Sequence, residues 1–419
     1  MSRLASLIQS RCPAGVEQVP LWSVTIWDKK FKGIDRTKQK KIISYPYLLA
    51  DDLFALQQDN GSVFLLSTGE KTGWTTESLA GSNLCEGEVV TIPWGKSRPV
   101  VEVIKYYKGK FVTADNRIAT SSDTGRLRNK FLYYWMLSQG KKIDRFYRGD
   151  GLKHPSMKAV LEMRIPLPPV EIQDEIINIL DNFSVKNTQL IEDIATELEL
   201  RRTQYSYYRE LLLSPKDNWT SSTLLSTLVQ PITDGPHETP TLVESGVPFI
   251  SAEAVQDNQI HFDLMRGFIT EEYDELCCRK YKPQLGDIYM CKSGSTTGKV
   301  AMVETTQRFN IWSPLAAIRV NPEVVVPRFM FFFLQTRFVQ KQVKQKASKG
   351  SQPNLSMRKL EQFTVCYPDV KTQEAIIQEL EQLSSSIAAY SKELDDEISL
   401  RRGQLEYYIE KLLSFETAC

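Results

Sequence analysis

The sequence predicts an α+β chain in which two globular parts are each closed by a long helix. Three observations predict it. The stretch Glu171–Ser214 recurs as Lys371–Ser414 without a gap, at an offset of 200 residues and with 16 of 44 positions identical. Inside both copies, apolar residues recur at alternating spacings of three and four, which is the pattern of a helix with one seam for a partner. The stretches before each copy read instead as short β-like runs broken by glycine-containing turns. An internal repeat is weighed before any other pattern, because it sets the number of units. The predicted division is residues 1–170 as a first globular part and 171–214 as a first long helix. Residues 215–370 then form a second globular part and 371–415 a second long helix.

The seam can be counted. In the second copy it runs Ile376, Leu380, Leu383, Ile387, Tyr390, Leu394, Ile398, Arg401, Leu405, Tyr408, Leu412, spaced 4,3,4,3,4,4,3,4,3,4. That is a heptad pattern with one four-residue stutter. Ile176, Leu180, Phe183, Asn187, Leu190, Ile194, Leu198, Arg201, Tyr205, Tyr208 and Leu212 repeat it with the stutter in the same place. Two helices with matching seams in one chain most simply pack on each other as a coiled coil, spanning roughly 60 Å. Packed antiparallel, they place the globular parts at opposite ends in a pseudo-twofold arrangement. Arg201 and Arg401 fall on the seam. Three readings are open for them: stems snorkelling over apolar surface, a buried ion pair with an acidic neighbour such as Glu197 or Glu397, or a contact to another subunit.

In the first globular part, Trp22–Trp27 (WSVTIW) alternates and is predicted as a strand. Lys29–Lys41 then carries seven basic residues against one acidic. Such a run is a solvated loop or a phosphate-contacting one. Strand-like pieces follow in GSVFLLSTGE, GEVVTIPWGK and PVVEVIKYY, and Asn129–Ser138 (NKFLYYWMLS) is predicted as a buried helix. The proline-rich RIPLPPVE, Arg164–Glu171, stops the chain before the first long helix. The second part repeats this order. TDGPHETP (Thr233–Pro240) is a turn-rich loop, and GVPFIS is a strand. GDIYMCKSGSTTGKVAMV is strand–loop–strand, with Gly286–Gly294 standing where Gly87–Gly95 stood. Phe329–Leu334 matches Phe131–Met136, a basic stretch follows at Arg337–Lys349, and NLSMR at 354–358 answers HPSMK at 154–158.

Composition narrows the function classes. A chain of 419 residues, 42% hydrophobic and 25% charged, is long enough for two ordinary cores. No apolar run approaches the ~20 residues a membrane helix needs, and the N-terminus lacks the pattern of a signal peptide. The seven cysteines are scattered with no CxxC, so neither a zinc site nor a disulfide framework is expected, and a reducing cytoplasm is the simplest home. Net charge is only +1, but it is unevenly placed. The two repeat helices hold 18 acidic and 9 basic residues, and the rest of the chain 43 basic and 33 acidic. Acidic helices and basic globular parts favour an anionic partner for the latter.

Catalytic motifs are missing. GSTTGKV (Gly294–Val300) has three residues between its glycines where a P-loop has four, and Val300 where Ser or Thr would hold magnesium. LPPV (Leu167–Val170) lacks both the amide acceptor and the aromatic residue of an amino-methyltransferase motif. His154, His237 and His261 are too far apart in sequence to suggest a triad or a histidine metal site. These absences point to a binding protein without chemistry of its own.

Two variable globular halves, each closed by a helix ending LRRTQYSYYRELLLS or LRRGQLEYYIEKLLS, resemble the specificity subunit of type I restriction–modification systems. ITDGPHETP, GVPFIS, GDIYMCKSGSTTGKVAMV and SQPNLSM support the resemblance, which covers nearly the whole chain. It implies that each globular part is a target-recognition domain reading one half of a bipartite, asymmetric sequence in double-stranded DNA. The helices would set the gap between the half-sites and dock two methyltransferase subunits, and through them the restriction and translocase subunits. S-adenosylmethionine, ATP and magnesium would then belong to those partners, with no catalytic residue, metal or cofactor in this chain. The stutter coincides with a four-residue unit, Thr196–Glu199, that varies in copy number across the family.

On charge and loop character, the expected DNA contacts in the first part are Lys29, Lys30, Lys32, Arg36, Lys38, Lys40, Lys41 and Lys96. In the second they are Lys292, Ser293, Ser295, Lys299, Lys341, Lys344 and Lys346. Arg201, Arg202, Tyr207, Tyr208, Arg401, Arg402, Tyr407 and Tyr408 are expected on the coiled coil or at the docked partner. The alternative is a non-catalytic architectural adapter with two protein-binding heads and no direct DNA role.

Overall fold

A computed structural model of the chain describes residues 3–416, apart from 68, 70, 71, 96, 97, 116, 150–152, 217, 218 and 349–351. The fold is α+β, with two compact units and two long helices, Val170–Leu213 and Val370–Leu412. Unit 1 comprises residues 1–193 and 395–419, and unit 2 residues 194–394, so each helix contributes to both.

Unit 1 is built on one six-stranded sheet. Its strands lie in the order Thr25–Trp27, Ile118–Ser121, Cys85–Thr91, Lys105–Thr113, Val63–Leu66, Gly73–Thr75. All neighbours are antiparallel except Val63–Leu66 beside Lys105–Thr113. Helix Asn129–Ser138 forms where its sequence predicts, burying Phe131, Leu132, Tyr134, Trp135 and Met136. The core that surrounds it includes Ile172, Ile176 and Leu180 from the start of the first long helix, and Ile409 and Leu413 from the end of the second. Seam residues are thus core residues of this unit. Antiparallel packing of the two helix segments follows from Phe183 against Tyr408 (ring centroids 5.1 Å apart) and the Asn187 amide donating to Arg401 O (2.9 Å).

Unit 2 divides its strands between two main sheets. One has the order Thr233–Asp234, Leu315–Ile318, Ile288–Cys291, Val300–Met302, and the other Gly267–Ile269, Val247–Ile250, Asn310–Ile311. Helix Pro327–Leu334 starts on a proline, which suits a first helical turn, and buries every residue from Phe329 to Leu334. Its core takes in Leu213 from the end of the first long helix, and Ile376 and Leu380 from the start of the second. Here too the segments run antiparallel: the Arg201 guanidinium lies over Tyr390, 5.6 Å from its centroid, while Tyr205 packs further along the same core.

The repeat holds in three dimensions from residue 157 onward. Helices Met157–Leu161 and Met357–Glu361 stand 200 apart, as do strands beginning at Arg164 and Thr364. Each strand pairs with the segment that opens its own unit, Gln18–Pro20 or Thr220–Leu224. A buried glutamine then fastens each long helix to its head. The side chain of Gln173 accepts from Arg128 N (2.8 Å) and donates to Arg126 O (2.7 Å) and Pro168 O (2.8 Å). Gln373 accepts from Val326 N (2.8 Å) and donates to Val324 O (3.1 Å) and Pro368 O (2.8 Å). Both are fully buried. The bonded amides, Arg128 and Val326, are the N-caps of the two aromatic helices. Replacing Gln373 by leucine leaves one donor and two acceptors without partners and should cost about 2–3 kcal/mol. For a unit of this size that is a fall of roughly 5–10 °C in melting temperature, read by differential scanning calorimetry. A shift under about 1 °C would show that water replaces these bonds.

Two expectations are corrected. Trp22–Trp27 is not one strand: Leu21–Val24 is a helical turn and only Thr25–Trp27 is extended. Leu21 and Val24 are both buried, three residues apart, which a helical turn satisfies and a strand does not. The Gly87–Gly95 and Gly286–Gly294 stretches are not equivalent either. Gly87 lies inside a strand, paired with Gly109, whereas Gly286 sits outside any strand at φ +87.

Candidate functional site

Unit 2 gathers four chain segments at one end of its four-stranded sheet. Asp234 pairs with Ala316, Cys291 with Leu315 and Met290 with Val300. The loops after Asp234, after Cys291 and before Leu315 therefore meet. Ser313 N donates to Pro236 O (3.2 Å), Lys292 N to Pro314 O (2.7 Å), Leu355 N to Lys292 O (2.7 Å) and Gly294 N to Pro353 O (3.0 Å). The basic helix Arg337–Lys346 closes against the same turn, with the Gln340 amide donating to Gly298 O (3.0 Å). Two glycines make this approach possible. A Cβ on Gly235 would lie 1.9 Å from Ile311 O, and Gly298, at φ +91, would place one 2.9 Å from Val343.

Lys292 is the central tie. It is 8% exposed, and its ammonium donates to Asp234 Oδ2 at 2.5 Å. Lys280 donates to the other oxygen at 2.6 Å, and His237 Nε2 lies 3.3 Å from Oδ2. Burial alone would raise the Asp234 pKa, but the hydrogen bonds from the two lysines outweigh it and hold the carboxyl below its ordinary value. Lys292 therefore directs its charge inward and shapes the TDGPHETP loop. Ser295 and Lys299 are exposed on the turn beside it, Ser293 is half-buried and bridged to Asn354, and His237 is 74% exposed. Lys341 and Lys344 are exposed opposite the buried Val339 and Val343, and Lys346 is half-buried. Lys299, Lys341, Lys344 and Lys346 form no ion pair among the described residues.

In unit 1 the Lys29–Lys41 segment is a pinned loop. Gln39, buried within it, accepts from Phe31 N (2.9 Å) and donates to Lys29 O (3.2 Å). Asp35 accepts from Thr37 N and Oγ1, both at 2.8 Å, and caps the turn Arg36–Lys38. Phe31 packs edge-on to Trp27, and the chain returns where Ile43 N donates to Trp27 O (3.1 Å). A cleft of about 330 Å³ opens between this loop and the residues around Trp22 and Trp27. Lys30, Lys32, Arg36, Lys40 and Lys41 are exposed and form no ion pair among the described residues. Lys38 is engaged by Glu162 (2.5 Å), and Lys29 is half-buried, its pKa lowered first by burial and then by Arg117. Asp28, at the foot of the loop, has its carboxyl pushed up to about 6 by burial, against the Ile118 N–H that it accepts. Lys96 lies outside the described residues.

On the long helices, Arg201 and Arg401 pair with Glu197 (2.8 Å) and Glu397 (2.7 Å), one turn back. These pairs are partly exposed, so the arginines form surface ion pairs and not the buried ones expected. Tyr408 packs inward on Phe183, while Tyr207 (64% exposed), Tyr407 (54%) and Tyr208 (41%) are open, as are Arg202 and Arg402. No group of three or more His, Cys, Asp or Glu side chains is placed to hold a metal ion among the described residues. No described helix is long and apolar enough to cross a membrane.

The sequence singled out the TDGPHETP and KSGSTTGK loops but not their joining by Asp234 and Lys292. Those residues are 58 positions apart, and no local pattern links them. Gln39, Gln173 and Gln373 were equally invisible, because a single glutamine carries no signal until its partners are known.

Residues 53–200 and 239–400 match the protein family described as type I restriction modification DNA specificity domain. The chain is 25% identical over 430 residues to the type I restriction enzyme EcoR124I/EcoR124II specificity subunit of Escherichia coli, covering 99% of this chain and 98% of that one. It is 21% identical over 303 residues to the EcoBI specificity subunit of Escherichia coli, covering 65% and 62%. Among solved structures, a chain from a study of complex assembly and conformational transition in the type I R-M system matches with a TM-score of 0.58. It shares 15% identity and covers 95% of this chain and 97% of that one. The HsdS subunit from Thermoanaerobacter tengcongensis matches with a TM-score of 0.50 at 14% identity, covering 95% and 96%.

Proposed function

The chain belongs to the type I restriction–modification DNA specificity family, and from that membership we propose how its two units divide the work. It is a specificity subunit, the component that confers DNA sequence recognition. Each unit reads one half of a bipartite, asymmetric target in double-stranded DNA. The long helices set the gap and dock two methyltransferase subunits, through which the restriction and translocase subunits join. The chain itself catalyses nothing. Adenine methylation with S-adenosylmethionine, and cleavage driven by ATP with magnesium, belong to those partners, and the complex works in the cytoplasm.

One observation carries this reading: each unit presents cations without ion pairs among the described residues, on a pinned loop in unit 1 and on a turn and a helix in unit 2, and roots its core on the same two helices. Exposed cations supply the phosphate contacts that position a protein on DNA. Two short readers at a fixed spacing gain affinity through their connection and act as one long selective site. Mapping methylated adenines across a genome, with and without this chain beside its methyltransferase, tests it directly. Loss of one bipartite motif is expected on deletion, and an unchanged methylome would sink the proposal.

The basic helix supplies a second measurement. With Lys341, Lys344 and Lys346 all changed to glutamine, affinity for a duplex carrying the mapped motif should fall. The slope of log affinity against log salt should shrink by roughly 0.9 for each phosphate that the variant no longer neutralises. An unchanged slope in this variant and in one lacking Lys30 and Lys32 would favour the architectural adapter instead.

A further inference from the structure

In the three-stranded sheet of unit 2, Val247–Ile250 lies between Gly267–Ile269 and Asn310–Ile311. Arg266 N, just before one edge strand, donates to Phe249 O (3.0 Å), and Trp312 N, just after the other, donates to Ile250 O (2.8 Å). Both side chains leave the sheet at the same end and meet across the central strand. The Arg266 guanidinium carbon lies 3.9 Å from the centroid of the Trp312 ring, well inside the ~6 Å reach of a cation–π contact.

The tryptophan is itself held. Its Nε1 donates to Glu238 O (3.1 Å) in the TDGPHETP loop, and its ring packs on the cluster of Val247, Phe249 and Ile269. Trp312 thereby joins this corner of the sheet to the loop end where Ser295 and Lys299 stand exposed. The Arg266 side chain is exposed and makes no hydrogen bond or ion pair among the described residues. The guanidinium is seated over the ring face, and its own donors are unused.

That combination differs from the lysines around it. A lysine is a mobile point charge, adequate for a phosphate, whereas a guanidinium is a planar bidentate fork, and one already held against a ring meets part of its ordering cost before binding. In the major groove such a fork matches the O6 and N7 acceptors of guanine. We propose that Arg266, oriented by Trp312, is a base-reading residue of unit 2 and selects a guanine in the half-site that unit 2 recognises. The inference rests on the reading that this unit binds DNA.

The test expresses the full chain with its methyltransferase subunits in a bacterial host that lacks adenine methylation, and maps methyladenine over the host chromosome. The parent chain should give a bipartite motif with a fixed G·C pair at one position of one half. Arg266→Ala should relax that position alone, discrimination falling roughly 5- to 100-fold. Arg266→Gln should shift the preference there to A·T, because glutamine matches adenine N6 and N7. Arg266→Lys, which keeps the charge and loses the fork, should relax the position as alanine does, and it guards against a misfolded alanine variant. All three should melt with the parent. An unchanged motif, or a uniform loss of methylation at every site, overturns the proposal; the second result would mark a phosphate contact. A lowered melting temperature with the motif intact also overturns it and marks a structural stack. If the parent chain yields no motif, the DNA reading itself falls, and the proposal with it.

Discussion

Asp234→Ala should lower the stability of unit 2 by about 3–5 kcal/mol, because it strands the Lys292 ammonium in a buried position without its counter-charge. For a unit of this size the melting temperature drops by about 10–15 °C. Lys280, at 53% exposure, is solvated and contributes little to that loss. Changing both partners, Asp234→Ala with Lys292→Met, should recover most of it, since no charge is then left buried. Calorimetry on the two variants separates this account from a general intolerance of the loop: equal losses in single and double variants would refute it. The pH dependence has a definite sign. The Asp234 carboxyl is held below its ordinary value of 3.8, so the folded state binds that proton less tightly than the unfolded chain. The stabilisation is present above about pH 4 and is lost as pH falls through the folded pKa. Asp234→Ala should therefore flatten the acid limb of the stability profile of unit 2. The same variant should impair DNA binding even where the unit remains folded, because Lys292 and Asp234 hold together the loops that carry His237, Ser295 and Lys299.

A second copy of Thr196–Glu199, inserted after Glu199, should yield a recognised sequence with a wider gap and unchanged half-sites. Four residues add about 6 Å of helix, at most about two base pairs of duplex at 3.4 Å per pair. The insertion point lies at an exposed step of the helix: Glu199 and Leu200 are exposed, and on this helix the core cluster of unit 1 ends at Leu180 and that of unit 2 resumes by Tyr205, with Asn187 and Ile194 buried between them. A four-residue step also matches the stutter already present, so the seam re-enters its heptad phase after it. The methylome of a host carrying the inserted chain reads the outcome. An altered half-site sequence would show that the helix does more than space the units, and an unchanged gap would show that it does not space them at all.

The long helices were legible in the sequence because their signal is periodic and local: the observed ends, Val170–Leu213 and Val370–Leu412, fall within a few residues of the repeat. Asn129–Ser138 was legible for the same reason, and so was the strand–loop–strand around KSGSTTGK. Alternation over six residues misled at Trp22–Trp27, where the turn after Pro20 decides the geometry. Charge composition located the basic segments, but it could not say which cations are free. Lys38 and Lys292 look like their neighbours in sequence and are taken up by Glu162 and Asp234, while Lys30, Lys40, Lys299 and Lys344 remain open.

The repeated stretch by itself determined the count of units, the two helices and the stutter, since helical periodicity depends only on residues a few places apart. Tertiary structure alone decided that the ends of that stretch are core residues of the heads, fastened by Gln173 and Gln373. It alone joined Asp234 to Lys292 and laid Arg266 on Trp312. Those contacts join residues tens of positions apart in the chain. The glutamine bonds and the Asp234–Lys292 pair form because burial makes an unpaired amide or charge costly, and Arg266 lies on Trp312 because the sheet brings the two to one end.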